Sequence, residues 1–478
     1  MDKIDFPISH FYYNLKIMRK SFTKIRHFVF CLIAAMIFVS SPSLSEEKTH
    51  NNAHEKPKKL YYLPQVLPIR EQVRITTRIL QKRLDTVLPV AMRSAGIDMW
   101  LVICQEDNLD PIYKTMIPRD TTPNKALHIL VFFDKGNERG IERINLSMSN
   151  IGNMYKKPWK GGNLPEQWQM LVEIIGKRDP QHIGINIGSI NWADGGLTHN
   201  LYTQLLKILP EKYKGRLMSA EKACTKWGMT LTQDELTLYP QVSAIARDII
   251  SGCFSSASIT PGVTTCKDLE WLCWEICSKN GLELSFNPYY SLQRSPAEAK
   301  EHPLGDGVIH YGDIIVCDVG IRYLGLYTDH QEIAYIRHPK EADAPHGLKK
   351  LLAENNRLQE IFMREFKRGM SGNQVLLNIF DKAKAEGIST PYIYSHSIGL
   401  FVHEPGPVIG YPWEQKPVPG RGELLLDFNS CYAMELGVLG NVKEWDNHHV
   451  YLPTEQIVVF TEKGCKPIDQ LQKTFHLR

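Results

Sequence analysis

Residues 312–336 read GDIIVCDVGIRYLGLYTDHQEIAYI, and this stretch decides the fold of the carboxy-terminal half. An apolar run from Ile314 to Cys317 delivers Asp318 into a glycine-containing turn, and the next strand-like run delivers Asp329. Short apolar runs rich in β-branched residues and bounded by glycine read as buried strands. Burying an isolated carboxylate is costly, so two aspartates on neighbouring buried strands call for a cation. Asp beside Gly is also common in plain turns, so this pair alone decides nothing.

The downstream sequence adds to it. YSHSIGLFVHEP, residues 394–405, holds His396 and His403 seven apart around Gly399. Glu435 follows the apolar CYAM and Glu455 stands just ahead of IVVF, so each carboxylate again abuts a buried strand. Four carboxylates and one imidazole are the ligand mix of divalent ions such as manganese, cobalt or zinc.

Around these segments lie helix signals. Thr232-x-x-Glu235, Thr265-x-x-Asp268 and Ser371-x-x-Gln374 are capping boxes, opening helices toward Ile250, Cys277 and Gly387. Strand-like runs at Ile333–Ile336, Leu424–Leu426 and Ile457–Phe460 alternate with them, predicting helices laid on a mostly antiparallel sheet, an α+β arrangement. Upstream, helical spacing over Ile69–Ala95 and buried strands at Asp98–Cys104 and Ile129–Phe133 predict an α/β first domain. The expected division is 60–225 and 226–478, in keeping with two folded units in 478 residues.

Composition is that of a globular protein, with 43% hydrophobic and 23% charged residues. The net charge of +4 resides in residues 1–45, where Lys3, Lys16, Arg19, Lys20, Lys24 and Arg26 face only Asp2 and Asp5. The balanced remainder offers no electrostatic footprint for nucleic acid. That first segment has the order of a secretory signal: a basic stretch, an apolar run Phe28–Val39, and Ser43-Leu44-Ser45 as cleavage site before Glu46. The run of about 12 residues falls short of the roughly 20 that span a bilayer. A signal peptide over 1–45, with Met18 as an alternative start, a flexible tether over 46–59 and export to the periplasm or exterior are therefore expected, with no stable membrane span after cleavage. Ten cysteines, one of them Cys31 in the signal, contain no CxxC pair and reveal no disulfide framework. Cys273 and Cys277, four apart, read as a packed apolar pair.

The order Asp318, Asp329 eleven positions on, His396, Glu435 and Glu455 resembles that of the creatinase/aminopeptidase P/methionine aminopeptidase superfamily. The resemblance covers 232–465 through these motifs and, more weakly, 60–230. It implies an α+β pita-bread catalytic domain preceded by an α/β creatinase-like amino-terminal domain. It also implies a peptide substrate, a homodimer, and two divalent ions, manganese before cobalt or zinc. Asp318 would chelate one ion, His396 and Glu435 the other, and Asp329 and Glu455 would bridge them. Water held between the ions would be acidic enough to attack near neutral pH, with Glu435 as proton shuttle. His403 and His302 resemble the two non-ligand histidines that stabilise the substrate carbonyl and its tetrahedral intermediate.

Several positions depart from the family pattern. His330-Gln331-Glu332-Ile333 replaces an Ile-Thr-Arg-Thr-like stretch, Leu436-Gly437 stands in place of Pro-Gly, and Pro453-Thr454 replaces the usual Arg before the final glutamate. His330 is expected on the opposite face from Asp329. Residues 443–449 (KEWDNHH) look like an insertion, either a cap on the cleft or a solvated loop. The resemblance points to an Xaa-Pro aminopeptidase, with an Xaa-Pro dipeptidase as the near alternative. A metal-free creatinase-like hydrolase or a binding module on the same scaffold is more distant. No HExxH, GxSxG or P-loop pattern is present.

Overall fold

Met99–Gln105 is the middle strand of a five-stranded sheet. It pairs antiparallel with Leu127–Asp134 and parallel with Ile183–Ile185, while Ile141–Asn145 and Leu217–Ser219 form the edges. Alternate residues serve two cores: Trp100, Val102 and Cys104 meet one, Met99, Leu101 and Ile103 the other. Burial on both faces explains why this strand reads as one continuous apolar run. Helix Ile69–Ser94 supplies Leu80, Leu84, Leu88 and Ala91 to the first core.

The computed structural model describes residues 63–478 apart from Pro64, Asn124, Lys125, Ala126, Asn191 and Ser389. The signal peptide expected over 1–45 and the tether over 46–59 lie outside the described residues. No helix among the described residues is long and apolar enough to cross a membrane.

All three capping boxes form, at Thr232/Glu235, Thr265/Asp268 and Ser371/Gln374, and open helices Gln233–Cys253, Cys266–Lys279 and Gly372–Ala385. Each satisfies otherwise orphaned backbone N–H groups of the first turn. Glu235 does more than cap: it is ion-paired at 2.9 Å with Arg83, and both side chains are buried. Arg83 also donates to the carbonyls of Thr230 and Trp227 and lies over the Trp227 ring at 4.5 Å, fastening helix Ile69–Ser94 to helix Gln233–Cys253.

The second sheet runs in the order Val408–Ile409, Pro391–Ile398, Ser430–Val442, His448–Thr461, His330–Tyr335, Ile314–Val319, Tyr289–Gln293. These neighbours pair antiparallel. Because side chains alternate along a strand, contacts to the helices reveal which face each residue takes. His330 is 3.1 Å from the Ser243 hydroxyl, Glu332 is ion-paired with Arg247 at 2.8 Å, and Asn355 of helix His346–Arg364 donates to Thr454 at 3.0 Å. His330 and Glu332 thus face helix Gln233–Cys253, and Thr454 faces helix His346–Arg364. Asp329 and Glu455, each one residue away along the chain, take the opposite side, as expected for a His330 with a structural role.

One expectation fails here. Leu424–Leu426 is not a strand: Leu425 makes one isolated bridge to Ser371 and its side chain is exposed, while only Leu426 is buried. Three apolar residues cannot distinguish a strand from a loop that tucks in one side chain. The segment 443–449 is the solvated loop that the sequence offered as the alternative to a cap, with all of its residues but Trp445 exposed. It closes the long hairpin, with Val442 paired to His448, Asp446 and Asn447 at φ 52° and 55°, and Glu444 accepting the Gly347 N–H at 3.0 Å. Asn and Asp tolerate this left-handed conformation better than other side chains, which is why they sit at the turn. Cys273 and Cys277 are buried and, like the other described cysteines, free.

Candidate metal centre

Across the middle of the sheet, register lines up one row. Tyr394 pairs with Glu435, Glu435 with Glu455, Glu455 with Gln331, Gln331 with Asp318, and Asp318 with Tyr289. Paired residues project to the same face, and residues two apart on a strand share it. Asp329 therefore stands beside Gln331, and His396 beside Tyr394, in the same basin. The five residues expected as ligands from the sequence come together.

Their atoms group in overlapping trios: Asp318, Asp329 and Glu455; His396, Glu435 and Glu455; and Asp329, His396 and His403, each with ligand atoms within 4.8 Å of one another. Two of these trios share Glu455. Asp329, Glu455 and His396 are almost fully buried, yet Asp318 Oδ1, both Glu455 oxygens and His396 Nε2 have no hydrogen-bond partner among the described residues. Orphaned polar atoms in a buried basin are costly unless something binds them. The chemistry of the donors, carboxylate oxygens with one imidazole nitrogen, fits divalent cations.

The imidazole of His396 is set for this role. Its Nδ1 lies 3.1 Å from the Ser397 carbonyl, which can only accept, so Nδ1 carries the proton and Nε2 presents its lone pair. Nε2 is 3.6 Å from an Asp329 oxygen and 3.9 Å from a Glu455 oxygen. Burial pushes His396 down to about 4, keeping the ring neutral. Burial, reinforced by neighbouring carboxylates, raises Asp318 and Glu455 well above the ordinary carboxylate range. Burial pushes Asp329 up to about 7, and Glu435 to about 8 although the Gln331 amide opposes the rise. Carboxyl groups crowded in this way resist simultaneous ionisation without a cation.

His403 stands on the 399–405 loop with its ring 4.5 Å from that of His396. Desolvation, the His396 ring and the Arg421 charge push it down to about 4, so it too is neutral. The loop is braced from several sides. Leu400 N–H donates at 2.6 Å to the buried carboxyl of Glu404, Glu404 N–H donates to the Ser397 carbonyl, and Arg421 donates to the carbonyls of Glu404 and Gly406. Trp192, from the loop following strand Ile183–Ile185, donates its indole N–H to the His403 carbonyl at 3.1 Å and meets Phe401 edge-on at 4.9 Å.

His302 is not in this basin. Its carbonyl accepts from Arg294, whose guanidinium grips Asp313 at 2.5 and 2.6 Å, and its ring stacks on His310 at 3.9 Å. Asp313 precedes Asp318 by five residues, which along an extended strand is about 16 Å. His302 groups instead with Glu298 and Glu301 at the end of helix Pro296–Glu301. Its role beside the substrate carbonyl therefore finds no support in this geometry.

Some residues of the site carried no assignment from sequence. Tyr394 and Gln331 were detectable in principle, since each lies two residues from an expected ligand on the same strand. Glu404, Arg421 and Trp192 gave no such signal, because only the folded loops bring them to His403.

Residues 240–462 match the model of metallopeptidase family M24. No curated protein matches the chain. Among solved structures, it is similar to an X-Pro aminopeptidase from Thermotoga maritima, at 17% identity and a TM-score of 0.57, over 81% of this chain and 100% of that one. An Xaa-Pro dipeptidase from Bacillus anthracis is similar at 16% identity and a TM-score of 0.57, over 84% and 100%. The amino-terminal domain of the FACT subunit SPT16 from Cicer arietinum is similar at 13% identity and a TM-score of 0.53, over 84% and 99%. At such identities these likenesses establish a shared fold, the α/β domain followed by the pita-bread domain.

Proposed function

From a chain that carries a metallopeptidase family M24 domain over residues 240–462, and so belongs to the creatinase/aminopeptidase P/methionine aminopeptidase superfamily of hydrolases, we propose a dinuclear-metal peptidase that removes the amino-terminal residue from peptides with proline in second position. The observation that carries this reading is that Glu455 belongs to two ligand trios at once, one with Asp318 and Asp329, the other with His396 and Glu435. Such a shared carboxylate suits two ions side by side. Asp318 would hold one, His396 and Glu435 the other, with Asp329 and Glu455 between them.

Two divalent ions there would supply a water acidic enough to attack near neutral pH and would polarise the scissile carbonyl. The chain's own residues do the rest. Glu435, at the rim of the basin, takes the proton of the attacking water and passes it to the leaving nitrogen. His403, neutral and held by its braced loop, donates a hydrogen bond to the carbonyl oxygen as negative charge develops there. Ser397, through its carbonyl, keeps His396 in the one tautomer that can serve as a ligand. The Trp192 loop narrows the His403 side, which suits a pocket for a single terminal residue.

The division at 225/226, export to the periplasm or exterior, and assembly as a homodimer belong to the same proposal. The test is hydrolysis of Arg-Pro-Pro and Ala-Pro by the purified chain after chelation and after reloading with manganese, cobalt or zinc. Metal-dependent release of Arg from the tripeptide supports the aminopeptidase. Exclusive cleavage of Ala-Pro would make it an Xaa-Pro dipeptidase, and no cleavage with metal bound would remove the peptidase reading.

A further inference from the structure

Glu221, the first residue of helix Glu221–Met229, grips the stretch that carries Trp192 from both of its ends. Ahead of Trp192 it accepts the Ile190 N–H at 2.6 Å and the Ser189 N–H at 3.3 Å. Beyond Trp192 it meets the carboxyl of Asp194 within hydrogen-bonding reach. Asp194 is fully buried, and as a carboxylate it finds no donor for either oxygen among the described residues. The backbone crowds it as well: a Cβ at Gly188 would clash with the Asp194 carboxyl, so glycine there leaves the acid its place. Between these two holds, the Trp192 indole N–H reaches the His403 carbonyl at 3.1 Å and its ring meets Phe401 edge-on.

Two carboxylates in contact inside a protein resist being charged together. One proton between them removes the repulsion and supplies the donor that Asp194 lacks. The groups turned toward the pair bring no counter-charge. Asp110, which caps helix Pro111–Thr115, is itself an acid, satisfied by the Asn186 amide at 2.8 Å and by the N–H groups of Ile112 and Tyr113, and Lys114 acts on Asp110. Cys224, three residues along the helix from Glu221, donates to the Asn186 side-chain oxygen at 3.5 Å, and burial pushes its thiol far up, so it stays neutral. Arg421 and Glu404 belong to the other side, tied into the loop that carries His403.

We propose that Asp194 and Glu221 share one proton and serve as positioning residues: the protonated pair keeps Trp192 on the His403 carbonyl, and loss of the proton to water drives the carboxylates apart and frees His403 from its place beside the substrate carbonyl. This rests on the peptidase reading above and adds a control of it by pH. The pair touches neither substrate nor metal and acts through Trp192. Burial, then the Glu221 contact, push Asp194 up to about 7, so the hold is present on the acid side and is lost on the alkaline side. Asp110, raised by burial to about 6, ionises earlier, and its charge opposes loss of the proton. His403, pushed down to about 4, is neutral throughout that interval.

The test follows Trp192 emission of the full chain from about pH 5 to 9, taken as the difference between each protein and its Trp192→Phe counterpart, beside kcat and KM for Arg-Pro-Pro with manganese. In wild type the difference signal is expected to change with a midpoint of about 7, and kcat to fall along the same limb. Asp194→Asn and Glu221→Gln each put a permanent amide donor of the same shape between the two side chains. In both, the signal holds its acid-side value throughout, and between about pH 6.5 and 8.5 wild type loses about tenfold more kcat than either variant, with KM alike. Burial raises Glu404 to about 8, but both variants leave it intact, so a change that persists in them belongs to its loop and overturns the pair. A flat wild-type signal also overturns it, as does cleavage whose pH profile is the same in wild type and variants. A change seen in wild type and absent from both variants, with no peptide cleaved at any pH, upholds the shared proton and sinks the peptidase reading alone.

Discussion

His396 Nε2 lies 3.6 Å from an Asp329 carboxylate oxygen, too far for a hydrogen bond and with no proton to share, because the Ser397 carbonyl holds the ring's proton on Nδ1. The pair is arranged around something between them. Asp329→Ala and Glu455→Ala are therefore expected to lower bound metal, read by calorimetric titration with manganese, and to eliminate hydrolysis while the five-stranded sheet stays folded. An active variant with full metal content would sink the bridging assignment.

The metal-free protein should show its carboxylate crowding as a pH-dependent stability. Burial raises Asp329 to about 7 and Glu435 to about 8, from ordinary values of 3.8 and 4.5. The folded state then holds protons that the unfolded chain has released, so its stability falls as pH rises through those values. The buried neutral histidines act oppositely: His330, His396 and His403, all pushed down to about 4 from 6.5, favour folding increasingly as pH climbs toward 6.5. Above that the carboxylates act alone. Chelator-treated protein should therefore lose melting temperature between about pH 6.5 and 8.5, and manganese should remove most of that loss. A melting temperature that rises over this interval without metal would contradict the arrangement.

The two non-ligand histidines expected from sequence should separate cleanly. His403→Ala removes the donor nearest His396 and is expected to lower kcat by about 10² to 10³ without changing metal content or melting temperature. His302→Ala alters a ring stacked on His310, before the end of strand Ile314–Val319 far from Asp318, and should leave kcat/KM within about twofold. A large loss of kcat in His302→Ala with normal folding would restore its catalytic role.

The contrast shows what was legible in the sequence. Asp318, Asp329, Glu435 and Glu455 could be read because each is a charge set against an apolar strand, a local conflict that only a site resolves. His396 could be read from its order among them. His302 misled because it sits in a loop before the strand, where distance along the chain says nothing about position in space. Tyr394 and Gln331 carried only a two-residue spacing from His396 and Asp329 as a signal, and strand pairing puts them in line with Glu435, Glu455 and Asp318. Trp192 reaches His403 from 211 residues away through a tertiary contact that no local pattern encodes.

That dependence on tertiary contact makes the buried Arg83–Glu235 pair a test of how the two halves hold together. The ion pair measures 2.9 Å with side chains 2% and 3% exposed, and Arg83 also serves the carbonyls of Thr230 and Trp227. Removing one partner strands a buried charge, which costs about 3–5 kcal/mol, while replacing both with apolar groups costs much less. Arg83→Met should therefore lower the urea midpoint sharply, and adding Glu235→Leu should recover part of the loss. Recovery will be incomplete, because Glu235 also accepts the Thr232 N–H at 2.7 Å and closes the capping box of its helix. If the single and double variants are equally stable, the pair is not coupled, and the stability of this junction must come from the packing of Trp227 and its neighbours instead.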